Sequence, residues 1–180
     1  MKNIVCISGT SRPGNFTSHA LAVVIDELHK QNETTHLFDA RDMTLSFPGS
    51  EPTADSERLQ EAVKTATGVI IASPEYHGGI CAMTKLVIEN MGFPSAMVGK
   101  PVALLGVAAG RIGAIKSLEM LRSICSHVGC MVLPGPVSVA GVNRVFDEDG
   151  SVLDSAVEKS VRGVATGLID YLHQHGAPAG

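Results

Sequence analysis

The chain has 180 residues, of which 44% are hydrophobic and 18% charged, and its formal net charge at pH 7 is −4. This length and composition suit one compact domain with a substantial core and exclude a disordered chain. The negative charge comes without a basic cluster, which argues against nucleic acid or an anionic membrane surface as a partner. No apolar stretch is long enough to span a bilayer and no signal peptide is recognised, so we expect no membrane insertion and a cytoplasmic location.

The first strand and the first helix of the predicted fold enclose a polar turn. Residues 4–7 form a short apolar run rich in β-branched side chains, which is typical of a buried strand. Residues 8–15 then supply hydroxyls, glycines and Arg12, and an amphipathic helical pattern begins at Phe16. Backbone N–H groups and the positive end of a helix dipole converge at such a turn, where glycine leaves room for close approach. The turn therefore predicts a phosphate site.

Strands and helices alternate along the rest of the chain. Further strands are predicted at residues 34–38, 69–72, 102–107 and 131–133. Apolar residues fall on one helical face within residues 16–28, 59–66, 81–91, 118–128 and 157–172. Five strands and five helices in strict alternation predict an α/β fold: a doubly wound, five-stranded parallel sheet with helices on both faces. If the strand order is 2-1-3-4-5, the polar turns after strands one, three and four lie side by side and form one pocket.

Two common nucleotide motifs are excluded at these turns. The spacing between Gly9 and Gly14 is that of a nucleoside triphosphate loop. Asn15 and Phe16, however, occupy the positions where Lys and Ser or Thr contact the phosphates and Mg²⁺. The dinucleotide fingerprint GxGxxG is also absent. A phosphate monoester held by hydroxyls, amides and one arginine remains, and flavin mononucleotide (FMN) fits that description.

The four cysteines match neither a zinc-binding pattern nor a CxxC redox pair, so no metal site is predicted. Cys6 lies inside the first strand and is expected to be a small buried side chain. Cys125 and Cys130 straddle the end of a helix and the start of the next strand, where we expect them to be structural.

Several motifs carry a resemblance to a known family. Residues 9–17 read GTSRPGNFT and residues 74–85 read PEYHGGICAMTK, while weaker matches cover residues 110–114 and the late loop at 146–150. Over nearly its whole length the chain resembles the NAD(P)H-dependent FMN reductases, flavodoxin-like proteins that include quinone, azo-dye and chromate reductases. The resemblance implies one flavodoxin-like FMN-binding domain over residues 1–180, with FMN as cofactor and NADPH or NADH as reductant.

The resemblance assigns the three turns to FMN. Arg12 pairs with the phosphate, the alternative being a solvated loop arginine. Thr10, Asn15 and Thr17 donate to the phosphate, or cap the helix, or do both. The glycine-containing loop after strand three wraps the ring with backbone donors. The full predicted set is Gly9, Thr10, Ser11, Arg12, Asn15, Phe16, Thr17, Pro74, Glu75, Tyr76, His77, Gly78, Gly110 and Arg111.

No side chain is predicted to be catalytic, because hydride transfer takes place on the flavin itself. Tyr76 is expected either to cover part of the ring or to pack at the loop. His77 replaces the family's usual Asn beside the ring, where it either stabilises an anion or is simply exposed. Asn15 and Thr17 also depart from the family's phosphate turn. Asn90 replaces a Trp, which removes a large aromatic anchor from the usual dimer contact.

The predicted activity is electron transfer from NAD(P)H through FMN to a quinone, flavin or similar small acceptor by a ping-pong mechanism. The resemblance also implies a homodimer or homotetramer. A flavin-binding electron carrier or redox-sensing protein with little turnover is the alternative. A third possibility, a phosphosugar- or nucleotide-binding module on the same fold, would be colourless.

Overall fold

The computed structural model describes residues 1–147 and 149–176. Within them the strands are β1 Asn3–Ser8, β2 Thr34–Asp39, β3 Gly68–Tyr76, β4 Gly79–Ile80, β5 Pro101–Val107, β6 Met131–Val132 and β7 Val137–Val139. The α-helices are α1 Phe16–Lys30, α2 Ala54–Thr65, α3 Ala82–Glu89, α4 Ile115–His127 and α5 Ser155–His175. Each predicted strand and helix corresponds to one of these elements, so the predicted α/β alternation is confirmed.

The central sheet is parallel and has the order β2-β1-β3-β5-β6. Numbered as the five predicted strands, this is the expected order 2-1-3-4-5. The fifth strand was predicted as one piece, residues 131–133, and this was wrong. It ends at Val132 and resumes as β7, which also pairs in parallel with β5. Pro134 and Pro136 separate the two pieces, because proline has no N–H to donate to the ladder.

The segment after the third predicted strand is a hairpin. Residues 73–79 were predicted as a turn, but β3 continues to Tyr76 and pairs antiparallel with β4. The turn itself is reduced to His77 and Gly78, whose φ angles are 51° and 75°. Positive φ at both central residues is the mark of a type I′ turn, whose twist matches that of the two strands. Histidine and asparagine both tolerate this left-handed conformation better than most residues, which accounts for His77 in place of Asn.

Helices cover both faces of the sheet, as predicted. Alternate strand residues such as Cys6, Ile70 and Leu105 pack towards α1 and α5. Their neighbours, such as Ile7 and Ile71, pack towards α2, α3 and α4. Cys6 is fully buried, and burial raises the pKa of its thiol to about 12, as expected of a core cysteine. None of the described helices combines the length and the apolar character that crossing a membrane requires.

Candidate functional site

The first turn leaves β1 at Gly9, where the backbone passes very close to its neighbours. The Gly9 N–H donates to the Ala72 carbonyl at 2.8 Å, and the Gly9 carbonyl accepts from the Thr84 hydroxyl at 2.7 Å. A Cβ at this position would lie 2.3 Å from Thr84 Oγ1 and 3.0 Å from the Ala72 oxygen. Only glycine fits here, so this turn is fixed against both β3 and α3.

Asn15 holds the turn in shape and caps α1. Its Oδ1 accepts from the Ser18 N–H at 2.8 Å, and its Nδ2 donates to the Arg12 carbonyl at 2.7 Å. The side chain is buried, and Gly14 beside it has a φ of 55°. The predicted capping role of Asn15 is confirmed, whereas a phosphate contact from its side chain stays a prediction.

Several hydrogen-bond donors at the start of α1 have no protein partner. Within the described residues, the backbone N–H groups of Phe16 and Thr17 donate to no protein atom, as expected for the first turn of a helix, and Thr17 itself is buried. The Phe16 ring lies 6.1 Å from the Phe146 ring, centroid to centroid, and packs on the core of that face. Its backbone, rather than its side chain, is therefore what it offers to a ligand. Ser11 and Arg12 are exposed beside these groups, and the helix dipole favours an anion at the N-terminus of α1.

The first and second turns meet at their side chains. The Tyr76 hydroxyl lies 3.5 Å from Thr10 Oγ1, and Thr10 is buried. Pro74 is buried at the end of β3, while Tyr76, His77 and Gly78 are exposed. His77 is thus placed at the exposed tip of the hairpin. The predicted phosphate turn and the predicted ring loop are therefore neighbours, and we call the exposed surface that they border the opening.

A buried hydroxyl cluster of Ser73, Thr84 and Ser117 joins the elements around this opening. Thr84 Oγ1 lies 2.9 Å from Ser73 Oγ, and the Ser117 hydroxyl donates to Ser73 Oγ at 3.4 Å. Each of the three residues is at most 1% exposed. The cluster links α3, β3 and α4, and through Thr84 it reaches the carbonyl of Gly9. Sequence reasoning missed it, although each member is a small hydroxyl residue at a strand end or in the first turn of a helix.

Glu75 has a role in the fold that the sequence did not predict. Its carboxylate accepts from the Ser117 N–H at 3.0 Å, in the first turn of α4. Ala114, the N-cap residue of α4, makes no side-chain capping bond, so Glu75 supplies the cap from the neighbouring strand. Beyond it, the Lys116 side chain runs beside Gly78, where a Cβ would lie 3.5 Å from Lys116 Cδ. The second loop and the start of α4 are therefore one connected unit.

The third turn is tied to the divided fifth strand. The Gly110 carbonyl accepts from the Gly141 N–H at 3.1 Å, and the Ala114 N–H donates to Ser138 Oγ at 2.8 Å. Gly110 and Arg111 are exposed. The ends of β3 and β5 that carry the second and third turns are adjacent, since Pro74 pairs with Val107. The structure thus brings all three predicted turns to one edge of the sheet. In the predicted late loop, Glu148 lies outside the described residues.

Comparison with known proteins identifies a family for this chain. Residues 2–143 match the family described as NADPH-dependent FMN reductase. The chain belongs to this family. Its members are oxidoreductases that use FMN, so the expected enzyme class and cofactor are confirmed for this reductase.

Individual relatives show how the family varies. The NAD(P)H-dependent FMN reductase of Pseudomonas aeruginosa is 27% identical over 170 residues, covering 88% of this chain and 89% of the relative. The quinone reductase of Escherichia coli is 29% identical over 184 residues, covering 95% of each chain. The NADPH azoreductase of a Bacillus species is 29% identical, covering 85% of this chain and 83% of the relative. Relatives of similar distance thus carry different acceptors in their names.

The fold agrees with that of a solved flavoenzyme. The NAD(P)H:acceptor oxidoreductase FerB of Paracoccus denitrificans superposes with a TM-score of 0.79 at 23% identity, over 97% of this chain and 99% of the other. The residues of this reductase also fit FMN on their own chemistry. Unpartnered backbone N–H donors lie at the start of α1, and Tyr76 of the hairpin contacts Thr10 of the same turn.

Proposed function

We propose that this FMN reductase passes electrons from NADPH or NADH to a quinone, free flavin or similar small acceptor in two half-reactions. The reductant leaves before the acceptor enters the same opening, which is a ping-pong scheme. The observation that supports this is the 3.5 Å approach of the Thr10 and Tyr76 hydroxyls. A ligand that binds the phosphate turn can therefore extend to the hairpin, where Tyr76, His77 and Gly78 are exposed to a second substrate.

The phosphate end is proposed to use the residues of the first turn. Arg12 supplies a planar cation that matches phosphate oxygens, and the Thr17 hydroxyl and N–H donate from the first turn of α1. Thr10 and Ser11 complete the set, with Gly9 permitting the close approach. Asn15 orients the turn through its bonds to Arg12 and Ser18.

The ring end is proposed to use backbone groups. Bound FMN supplies the chemistry of accepting and releasing a hydride. The residues of this chain bind and orient it: the backbones of Pro74 to Gly78 donate along one edge, and Gly110 and Arg111 flank the other. Tyr76 lines the opening, and His77 at the hairpin tip is placed to meet an anionic substrate. Since donors are backbone groups, no single side chain is expected to be indispensable for the chemistry.

The test is the absorbance spectrum of the purified, FMN-loaded protein. Under exclusion of oxygen, NADPH or NADH is expected to bleach the oxidised flavin bands, and a quinone is expected to restore them. Initial rates at several fixed acceptor concentrations should give parallel double-reciprocal lines. Bands that persist under reductant would refute the enzyme and indicate an electron carrier or redox-sensing protein, whereas intersecting lines would refute only the ping-pong scheme.

Arg12→Ala tests the phosphate end of the site. Loss of a charge-assisted hydrogen bond costs about 1.5–3 kcal/mol, so the Kd for FMN should rise by about 10- to 100-fold. Fluorescence titration with FMN measures this. Arg122→Ala, which removes an exposed arginine of α4, is the matched control and should leave the Kd unchanged. Equal affinities of the two variants would exclude Arg12 from the phosphate site.

We further propose that the enzyme is a homodimer whose interface is the groove between α3 and α4. The groove encloses about 1060 Å³ and carries Phe93, which is fully exposed, and Val98, which is 55% exposed. Lys85 and Glu89 form an ion pair on its rim. A second copy related by two-fold symmetry suits this surface, because it would bring apolar side chains and both signs of charge to face their own equivalents.

Asn90 stands where the family usually has a Trp, and this replacement is compatible with the proposed dimer. The Asn90 side chain is buried, donating to the Ser46 and Leu86 carbonyls at 2.9 Å each. It fixes the loop before α2, while Phe93 supplies an exposed aromatic three residues later.

We also propose that the whole chain forms a single FMN-binding domain that works in the cytoplasm, where its four free cysteines would stay reduced.

A further inference from the structure

Helix α4 ends in a Schellman motif, remote in sequence from the three flavin turns. The Cys130 N–H donates to the Cys125 carbonyl at 3.0 Å, and the Gly129 N–H donates to the Ser126 carbonyl at 3.1 Å. Gly129 has a φ of 93°, as the residue after the cap in this motif requires. These paired bonds fold the chain back on the last turn of the helix and lead it directly into β6.

The two residues that a Schellman motif brings into contact are both cysteines here. The side chains that precede and follow the glycine in this arrangement usually form an apolar contact. In this chain they are Cys125, which is fully buried, and Cys130, which is half-buried at the surface. Both pack on the core of the α4 side of the sheet, and the paired backbone bonds of the motif bring the two residues next to each other.

The two thiols differ in the way that a reactive pair needs. The neighbouring Cys125 thiol lowers the pKa of Cys130, because it favours the Cys130 thiolate. The same contact, together with burial, raises the pKa of Cys125. The sulfur that ionises more readily is therefore the one nearer to solvent, and the fully buried Cys125 lies behind it. Within the described residues no group of three or more metal-binding side chains occurs, so a metal does not account for the pair.

We propose that Cys130 and Cys125 form a peroxide-reactive dithiol. The Cys130 thiolate attacks one oxygen of hydrogen peroxide, the O–O bond breaks, and hydroxide leaves to become water. Cys130 is then a sulfenic acid. The Cys125 sulfur attacks the Cys130 sulfur, gives up its proton, and a second water leaves as the disulfide forms. The two thiols have lost two electrons and two protons, and the peroxide has been reduced to two waters.

The experiment uses the FMN-loaded protein, one equivalent of hydrogen peroxide, and alkylation of the remaining thiols under denaturing conditions. Trypsin cleavage after Arg122 and Arg144 releases residues 123–144 as one peptide that contains both cysteines. This peptide is expected to be about 2 Da lighter than its reduced form and to carry no alkyl group. Cys6 and Cys81 are expected to be alkylated in full.

Variants separate the two steps. In Cys125→Ala the second step is blocked, so a sulfenic acid trap should label Cys130. Cys130→Ser should leave Cys125 unreacted, and Cys81→Ser, which removes a buried cysteine elsewhere, should leave the disulfide yield unchanged. Full alkylation of both cysteines in the wild-type peptide would overturn the proposal, and so would a disulfide that joins two chains. The outcome is independent of electron transfer to any acceptor.

Discussion

At the scale of single residues, the contact between Gly9 and Thr84 decides the geometry of the site. The Thr84 hydroxyl donates to the Gly9 carbonyl and lies in the buried hydroxyl cluster with Ser73 and Ser117. Both partners lack water to replace a lost bond, because they are buried. The orientation of the phosphate turn therefore depends in part on a hydroxyl that belongs to a different helix.

Thr84→Val tests this dependence. The substitution keeps the shape of the side chain and leaves the Gly9 carbonyl unpaired, which costs about 1–3 kcal/mol of unfolding free energy. The affinity for FMN should fall as well. Thr65→Val, at an exposed position of α2, is the control and should change the stability by less than about 0.5 kcal/mol. Urea unfolding measures both, and equal losses in the two variants would contradict the argument.

The sequence placed the candidate residues in the correct turns, but it did not predict what they contact. Gly9, Arg12 and Asn15 could be located because a polar turn between a strand and a helix has a known geometry. The bond from Thr84 to Gly9 joins residues 75 positions apart. No local pattern encodes such a pair, since it exists only after the sheet and helix have packed.

At the scale of elements, a charged clamp joins α1 and α5. The Arg162 guanidinium on α5 donates to Asp26 at 2.6 Å and to Glu27 at 3.3 Å on α1, and to Glu158 at 2.8 Å on its own helix. Hydrogen bonds from Lys30 and Arg162 lower the pKa of Asp26. The clamp therefore holds together the two helices that cover one face of the sheet.

Arg162→Gln should destabilise the protein in a pH-dependent way. The folded pKa of Asp26 is below its unfolded value, so the ion pair stabilises the fold above the ordinary aspartate pKa and loses that effect as pH falls through the folded pKa. The difference from wild type should be greatest near neutral pH and should shrink in acid and in high salt. Urea midpoints at each pH measure it, with Lys159→Gln on the same helix as control. A difference that did not change with pH would refute the clamp.

Element prediction succeeded wherever the hydrophobic period was unbroken. Continuous apolar runs correctly predicted β1, β3 and β5 as strands. The apolar faces correctly predicted the five helices. The continuation of the fifth strand after residue 133 and the hairpin were missed for opposite reasons. Pro134 and Pro136 interrupt a strand whose pairing nevertheless continues at Val137. His77 forms a tight turn with Gly78, although histidine is an uncommon signal for it.

At the scale of the whole molecule, the strand order was predictable and assembly was not. Alternation and short right-handed connections predict a doubly wound sheet, and the order 2-1-3-4-5, chosen because it brings the three turns together, is confirmed. Which surface meets a second copy depends on exposed side chains that no periodic pattern identifies. Phe93 shows this, since in sequence it is one aromatic residue in a loop and in space it is a fully exposed apolar side chain of the α3–α4 groove.

Phe93→Asp should convert the proposed dimer to a monomer. A charge at this position would have to be buried against the partner without a counter-ion, which is unfavourable. Sedimentation velocity on the FMN-loaded protein measures the change. Leu153→Asp alters another exposed apolar residue, 63% exposed and away from the groove, and should leave the assembly intact. An unchanged sedimentation coefficient for Phe93→Asp would show that the groove is not the interface.

Because two prolines divide the fifth strand, the two edge strands of the sheet differ in unbroken length. On that side, β6 has two residues and β7 has three, so a foreign peptide meets no uninterrupted row of amides. On the opposite side β2 runs unbroken for six residues, with Leu37 largely exposed. If an extra strand adds to the sheet, it should therefore add along β2. A proline placed in β2 at a residue whose N–H points away from β1 is the substitution that would most effectively suppress fibril growth.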